Sequence, residues 1–205
     1  MKWMASLAFG LTALISGAML PQLALAHDAA QHTHSEEPDP LAGRFGGVFS
    51  LTDHTGKRVT QANYSGRYML VYFGYSRCGD LCPLDLLTIG QGLDQAGDIA
   101  AKVQPLFITV DPAFDTPAVL ADYVRNFHPR LIGLTGTQSE TDAAAKAWHV
   151  RVHKVEQKPV LGKAEFFIDH GSLAFLMGPD GKFVTLFPHG VKAEKLAAAL
   201  REYVK

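Results

Sequence analysis

Hydrophobic positions along the chain alternate between short, continuous apolar runs and longer stretches with helical spacing. The apolar runs are rich in Val, Ile, Phe and Tyr, which is typical of strands that are buried on both faces of a sheet. Glycine-containing turns separate several of these runs, and the first turn predicts a short hairpin near the start of the folded part. The predicted strands are residues 46–52, 58–60, 68–73, 103–110, 131–136, 150–155, 166–170, 173–177 and 182–187.

The helical stretches fall between the strands in the first half of the chain and close its end. Thr116 followed by Pro117 predicts a helix start, because proline is favoured at the first helical position. Ser139 is a second candidate N-cap. Residues 156–164 are polar and predict an inserted loop before the last strands. The predicted helices are residues 84–93, 117–127, 139–148 and 192–204. Together these elements predict an α/β fold, with a mixed sheet and helices on both faces.

The first 26 residues differ in character from the rest. Lys2 precedes a long apolar run, Pro21 breaks the run, and a small-x-small segment ends at Ala26. This order is typical of an export signal, and the alternative is an uncleaved anchor, because about 18 apolar residues can span a bilayer. We therefore expect a periplasmic protein, which would be attached to the inner membrane only if the segment is retained.

The segment after the predicted signal, residues 27–40, is polar and has no apolar periodicity. We expect a flexible tail here, followed by one domain over residues 41–205. His27, His32 and His34 lie in the tail. They are either part of a solvated segment or a mobile arm that collects metal ions.

Composition narrows the possible functions. Hydrophobic residues make up 47% of the 205 residues, which excludes wholesale disorder. The 19 basic and 20 acidic residues nearly cancel, which argues against a nucleic-acid partner bound through its phosphates. The two cysteines are too few for a disulfide-stapled miniprotein or for a zinc site of paired Cys-x-x-Cys knuckles.

Those two cysteines, Cys78 and Cys82, are spaced C-x-x-x-C where a buried strand passes into a helix. If the helix begins inside this loop, residues four apart share one helical face and both sulfurs point the same way. The pair can then close a redox-active disulfide or present two thiolates to a soft metal. Two thiolates favour Cu(I), and an added imidazole lets one site hold both Cu(I) and Cu(II).

His170 is the best candidate for that imidazole, because it ends an apolar strand and precedes the turn at Gly171. Asp169 beside it is a candidate for support of the histidine, although adjacent strand residues point to opposite faces. Four other histidines have no cysteine neighbour, and we interpret them as core or surface residues: His128, His149, His153 and His189. Asp111, Asp115 and Pro117 are interpreted as formers of a strand-to-helix turn, or as a rim where a partner docks.

Three separated segments carry a family resemblance: GYSRCGDLCPLDL at 74–86, DPAFDTP at 111–117 and IDHGSLAFLMGPDG at 168–181. In these segments, and over residues 41–205, the sequence resembles the Sco/SenC family of copper proteins. The resemblance implies a thioredoxin-like fold and copper bound by Cys78, Cys82 and His170. Gly79 stands where the family commonly has proline.

The resemblance also implies a function. The family delivers copper to the dinuclear copper centre of cytochrome c oxidase, or keeps the cysteines of that centre reduced. The expected partner is therefore the oxidase subunit that holds the copper centre, or another periplasmic copper protein, and we expect the chain itself to be a monomer.

Two other functions remain open from the residues alone. A thiol–disulfide oxidoreductase would use Cys78 and Cys82 without needing His170, but thioredoxin-type redox motifs are spaced C-x-x-C. A peroxidase of the peroxiredoxin type would also leave His170 without a role. Whether the chain is an enzyme is thus left open.

Overall fold

Nine strands and four α-helices make up the part of the chain that the structure describes. The computed structural model describes residues 41, 43–79, 81–160 and 163–205, with side chains outside 157–165. The predicted signal and tail lie outside the described residues. The strands are β1 (Ser50–Asp53), β2 (Arg58–Thr60), β3 (Tyr68–Gly74), β4 (Val103–Thr109), β5 (Ile132–Thr135), β6 (Val152–Val160), β7 (Lys163–His170), β8 (Leu173–Met177) and β9 (Phe183–Pro188). The helices are α1 (Leu81–Ala96), α2 (Pro117–Val124), α3 (Gln138–Ala147) and α4 (Ala193–Tyr203), with 3₁₀ turns at Gln61–Tyr64 and Gly97–Lys102.

Seven of the strands form one mixed sheet, in the order β2-β1-β5-β4-β3-β8-β9. The three central strands β5, β4 and β3 run parallel, and the remaining pairs are antiparallel. Every residue of β3 and β4 is buried, as their continuous apolar runs predict. The described residues all fall within one compact unit, Pro38–Lys205. Among them, no helix has the length and apolar character needed to cross a membrane.

Helices cover both faces of this sheet, as the sequence predicts. On one face, Tyr72 stacks on Phe107 with ring centroids 6.5 Å apart, and Phe107 packs on Tyr123 of α2 at 5.5 Å. On the other face, Phe73 packs at 5.8 Å on Trp148, the residue that ends α3. Because Tyr72 and Phe73 are adjacent in β3, their side chains point to opposite faces and meet different helices.

Two sequence predictions need correction. Thr137, not Ser139, is the N-cap of α3, because its side chain accepts from the Glu140 backbone N–H while Glu140 accepts from the Thr137 backbone N–H. This reciprocal capping box satisfies two otherwise unpaired donors, which a lone serine cannot do.

The second correction concerns residues 156–164, where we predicted a loop. β6 and β7 instead extend through most of this segment as a two-stranded antiparallel sheet, separate from the central one. The pairing runs from Val152 opposite His170 to Val160 opposite Lys163, with an irregularity after Gln157. Val152, Phe166 and Ile168 pack this pair on the core, and backbone hydrogen bonds continue the pairing into the polar segment, so polarity alone was a poor guide here.

Candidate metal centre

Cys82 lies in the first turn of α1 and is fully buried, at 0% exposure. Pro83 follows it inside the same turn, where a missing N–H costs nothing because the first amides of a helix have no partner within it. Gly74, the last residue of β3, allows the sulfur to approach closely. A Cβ at Gly74 would lie 3.0 Å from Cys82 Sγ and 2.9 Å from Phe107 Cε2.

Cys78 lies in the loop between β3 and α1, three residues before the helix begins. It is partly buried, and its backbone N–H donates to the Tyr75 carbonyl at 3.2 Å in a turn. The condition for a shared helical face, a helix that already includes Cys78, is therefore not met, although the two cysteine side chains still interact. A turn that closes on Tyr75 occupies the Cys78 amide, and the helix begins only at Leu81.

His170 ends β7 and brings its ring to Cys82. Its Nε2 lies 3.2 Å from Cys82 Sγ, although the two residues are 88 positions apart. The ring is held between two tyrosines in edge-on contacts, with centroids 6.3 Å from Tyr72 and 6.0 Å from Tyr75. Its Nδ1 lies 3.5 Å from the Gly171 carbonyl. A proton on Nδ1 points toward that carbonyl and leaves the Nε2 lone pair facing the sulfur.

The two cysteines are thiols in this structure, with no disulfide between them. A hydrogen bond with the Cys78 side chain, together with burial, raises the pKa of Cys82 well above its ordinary value. Cys82 therefore keeps its thiol proton, and its sulfur lies 3.2 Å from His170 Nε2. A metal that takes the place of this proton would meet a sulfur and a nitrogen already facing each other.

The three predicted ligands are only partly assembled. Cys82 contacts His170 directly, and Cys78 adjoins Cys82 through the side-chain hydrogen bond. Within the described residues, no group of three or more His, Cys, Asp or Glu side chains is already arranged around one point as a metal cage. Two sulfurs and one imidazole nitrogen are nevertheless the donor set that suits copper in both common oxidation states.

The remaining candidates lie elsewhere. Asp169 is exposed and faces away from His170, as strand alternation requires. His128 is buried, with its Nε2 3.6 Å from Asp94 Oδ1. His153 is exposed and lies opposite Asp169 in the backbone pairing of β6 with β7. Asp115 is fully buried under the loop that carries Cys78, so the prediction of a turn former describes only part of its contacts.

Sequence reasoning missed a polar chain behind the site. The Tyr72 hydroxyl donates to Asp85 Oδ2 at 2.9 Å, and Asp85 Oδ1 lies 2.8 Å from His189 Nδ1. The chain fixes Tyr72, which in turn packs against His170. An acidic residue inside the apolar stretch of α1, three positions after Cys82, was the available signal, since a buried carboxylate needs partners.

Comparison with known proteins adds to this geometry. The family model SCO1/SenC matches residues 37–205. The chain belongs to the SCO1/SenC family. It is 38% identical over 162 residues to the human protein named "Protein SCO1 homolog, mitochondrial", covering 78% of this chain and 53% of the human protein. The chain thus spans about half the length of that curated relative.

Solved structures of Sco proteins share the fold. A crystal structure of Arabidopsis thaliana ScoI with copper bound has a TM-score of 0.72 and 34% identity, covering 78% of this chain and 98% of that one. Bradyrhizobium japonicum ScoI with copper bound has a TM-score of 0.70 and 39% identity, covering 78% and 99%. The predicted α/β fold of thioredoxin-like type and the predicted SCO1/SenC membership are both confirmed.

The same comparisons overturn the expected location. The human relative and others matched with it are named as mitochondrial proteins, so the prediction of a periplasmic protein is contradicted. A charged start followed by an apolar run suits a segment for insertion into a membrane, but it does not name the membrane.

Proposed function

We propose that this chain is a copper metallochaperone of the Sco type, which carries one copper ion as cargo between Cys78, Cys82 and His170. The contact of 3.2 Å between Cys82 Sγ and His170 Nε2 is the observation that carries the proposal, because the fold brings a soft sulfur and an imidazole nitrogen together from distant segments. The copper named in the structures of two family members supports the choice of metal.

The chemistry of the site follows from its protonation. When Cu(I) binds, the Cys82 proton is released to solvent, and the sulfur and His170 Nε2, which already face each other, would both bind the metal. Cys78 is partly exposed, so it is the ligand that a partner's thiolate can displace first. Copper would pass to the partner by stepwise exchange of sulfur ligands, with no change in its oxidation state.

The surface beside the site suits docking of a protein partner. Leu81, Leu84 and Leu87 on α1 are 37%, 54% and 42% exposed, and Leu81 is the residue directly before Cys82. Large apolar side chains that remain in water around a site are typical of a protein interface. We propose that the partner is a copper protein, and specifically the subunit of cytochrome c oxidase that holds the dinuclear copper centre.

Anaerobic titration of the reduced protein tests the proposal. We expect one Cu(I) per chain, and a Cu(II) form with visible thiolate-to-metal absorption. His170→Ala should abolish the Cu(II) absorption, whereas the control His153→Ala, an exposed histidine of the neighbouring strand β6, should leave it unchanged. If the absorption persists in His170→Ala, the assignment of this ligand is wrong.

A second candidate function is thiol–disulfide exchange. The partly exposed Cys78 beside the buried Cys82 resembles an attacking and a resolving thiol. This activity would require the cysteines and not His170. Reduction of insulin by metal-free His170→Ala at a thioredoxin-like rate would favour it over the copper carrier.

We also propose that residues 1–26 are a cleaved signal peptide, as the charged start, apolar run and small-x-small ending indicate. Mass spectrometry of the mature chain, purified from its native source, tests this. A first residue of His27 is the expected result, and an intact Met1 would contradict it.

A further inference from the structure

The loop that carries Cys78 packs on the core through Tyr75 and partly through Cys78 itself, and polar contacts hold the two residues between them. Residues 75–79 connect the end of β3 to the start of α1 without regular secondary structure. Cys82, by contrast, is held inside a helix and by the core. Where Cys78 lies relative to the Cys82–His170 pair therefore depends on what anchors this loop.

The anchor is Asp115, which is fully buried at 0% exposure. Its Oδ2 accepts from the backbone N–H of Ser76 at 3.0 Å and from the Thr109 hydroxyl at 2.5 Å. Its Oδ1 accepts from the Ser76 hydroxyl. The Asp115 carboxylate thus joins the end of β4 to the loop at Ser76, which lies two residues before Cys78.

These contacts are more than a turn requires. The N-cap of α2 is Thr116, whose side chain accepts from the Val119 backbone N–H, so helix capping does not use the Asp115 side chain. Burial raises the pKa of Asp115, while its hydrogen bonds from Ser76 and Thr109 oppose that rise. A buried carboxylate is tolerated only when such donors surround it, and two of its three donors come from the Cys78 loop.

A neighbouring ion pair braces the same loop from outside. Arg77 Nη2 donates to Asp111 Oδ2 at 2.5 Å, and the guanidinium lies 4.3 Å from the centroid of the Phe114 ring. The amide of Asp111 donates to Thr109 Oγ1 at 2.9 Å, which links this brace to the buried carboxylate. Ser76 and Arg77 are therefore both fixed, and Cys78 follows directly after them.

We propose that Asp115 is a positioning residue for the candidate metal centre: by holding Ser76, it keeps the Cys78 sulfur beside Cys82, the residue that contacts His170. For copper, this inference rests on the proposed function. The positioning itself does not, because it also governs how fast Cys78 reacts in the metal-free protein.

The chain offers a matched control in Asp53, which is 8% exposed. Asp53 Oδ1 also takes three donors: the Thr55 backbone N–H at 2.8 Å, the Thr55 hydroxyl at 2.6 Å and the Lys57 backbone N–H at 3.0 Å. It holds the turn between β1 and β2, strands that end the sheet on the side away from β8 and β9. Asp53→Asn and Asp115→Asn thus remove the same negative charge from a buried carboxylate with three donors, but only Asp115 contacts the Cys78 loop.

The experiment compares Asp115→Asn, Ser76→Ala, Asp53→Asn and Thr55→Ala in the reduced full chain. Alkylation of Cys78 by iodoacetamide is followed by peptide mass spectrometry, and Cu(I) affinity is measured by competition with a chelator. We expect Asp115→Asn and Ser76→Ala to alkylate about tenfold faster and to bind Cu(I) roughly 10–100-fold more weakly, the range typical when support of a metal ligand is lost. They should also shift the Cu(II) thiolate absorption. The two controls should stay within about twofold of the wild type, even where their melting temperatures fall.

Ser76→Ala separates the position of Cys78 from the charge of Asp115, because it alters no ionisable group near Cys78. If Asp115→Asn does not fold, Ser76→Ala tests the proposal by itself. The proposal is overturned if Ser76→Ala alkylates at the wild-type rate, or if Asp53→Asn matches Asp115→Asn in every readout. If alkylation accelerates as expected but the wild-type chain binds no copper, the positioning role stands and the proposed function fails.

Discussion

Cys78 and Cys82 are four residues apart, yet the fold holds them in different ways. Cys82 belongs to a helix, is fully buried and touches His170. Cys78 belongs to a loop, is partly exposed and depends on polar contacts two residues away. The comparison teaches that close spacing along the chain does not make two cysteines equivalent. The Cys82 thiol is fixed by packing in the core, whereas the Cys78 thiol remains accessible to solvent and to a partner protein.

Replacement of each cysteine by serine should have the largest effect and should show the difference between the two positions. Either substitution should abolish stoichiometric Cu(I) binding, since each removes a sulfur ligand. Only Cys82→Ser should also destabilise the metal-free protein, by about 1–3 kcal/mol, because it places a hydroxyl in a fully buried site. Cys78→Ser should stay within about 0.5 kcal/mol.

Urea denaturation of the metal-free variants measures this difference directly. Equal losses in the two variants would contradict the view that only Cys82 is part of the core.

Two glycines in the same segment sharpen the comparison. A methyl group at Gly74 would press on Cys82 Sγ and on Phe107, whereas a Cβ at Gly79 would meet nothing within 4 Å. We expect Gly74→Ala to cost about 1–3 kcal/mol and to disturb the Cu(II) absorption, because overpacking moves core atoms. Gly79→Ala should change neither the stability nor the Cu(II) absorption by much.

The measurements are the urea midpoint and the visible spectrum of the Cu(II) form. A wild-type spectrum in Gly74→Ala would show that the position of Cys82 Sγ does not depend on this close approach.

The smallest expected effect is on the pH dependence of stability. The pKa of Cys82 is raised in the folded state by the Cys78 hydrogen bond and by burial, from an ordinary value of 9.0. The unfolded chain therefore loses this proton first, and stability falls as pH rises above about 9. At pH 10 the loss from this one group is about 1 kcal/mol.

The matched variant is Cys82→Ser, which lacks the titrating thiol. Its stability should fall less than that of the wild type between pH 8 and pH 10, because the variant has no thiol at position 82 that the unfolded chain can deprotonate. Parallel curves would contradict the raised pKa of Cys82.

Much of the fold follows from local sequence. The apolar runs of β3 and β4 predict strands buried on both faces, and Thr116 with Pro117 predicts the start of α2. The true start of α3 was also available, since Thr137 and Glu140 have the spacing of a capping box. The extension of β6 and β7 was not, because the polar residues 156–164 have no hydrophobic periodicity that would indicate the strand pairing.

The candidate site could be predicted from local sequence only in part. The types of ligand could be inferred from the cysteine spacing and from His170 at a strand end. The contact between Cys82 and His170 could not, because it depends on how a separate hairpin lies over the end of the sheet. For the same reason, the sequence does not identify Ser76 as the partner of Asp115 or His189 as the partner of Asp85, although an acidic residue inside an apolar helix indicates that Asp85 needs a partner.

The hairpin of β6 and β7 has one further consequence. It forms its own two-stranded sheet, and such a sheet alone in water is only marginally stable. An ion ligated by both Cys82 and His170 would act as a cross-link between this weak element and the rigid body. Copper binding would then slow amide hydrogen exchange throughout the β6–β7 hairpin. A partner protein could distinguish the copper-bound form from the metal-free form by the rigidity of this hairpin.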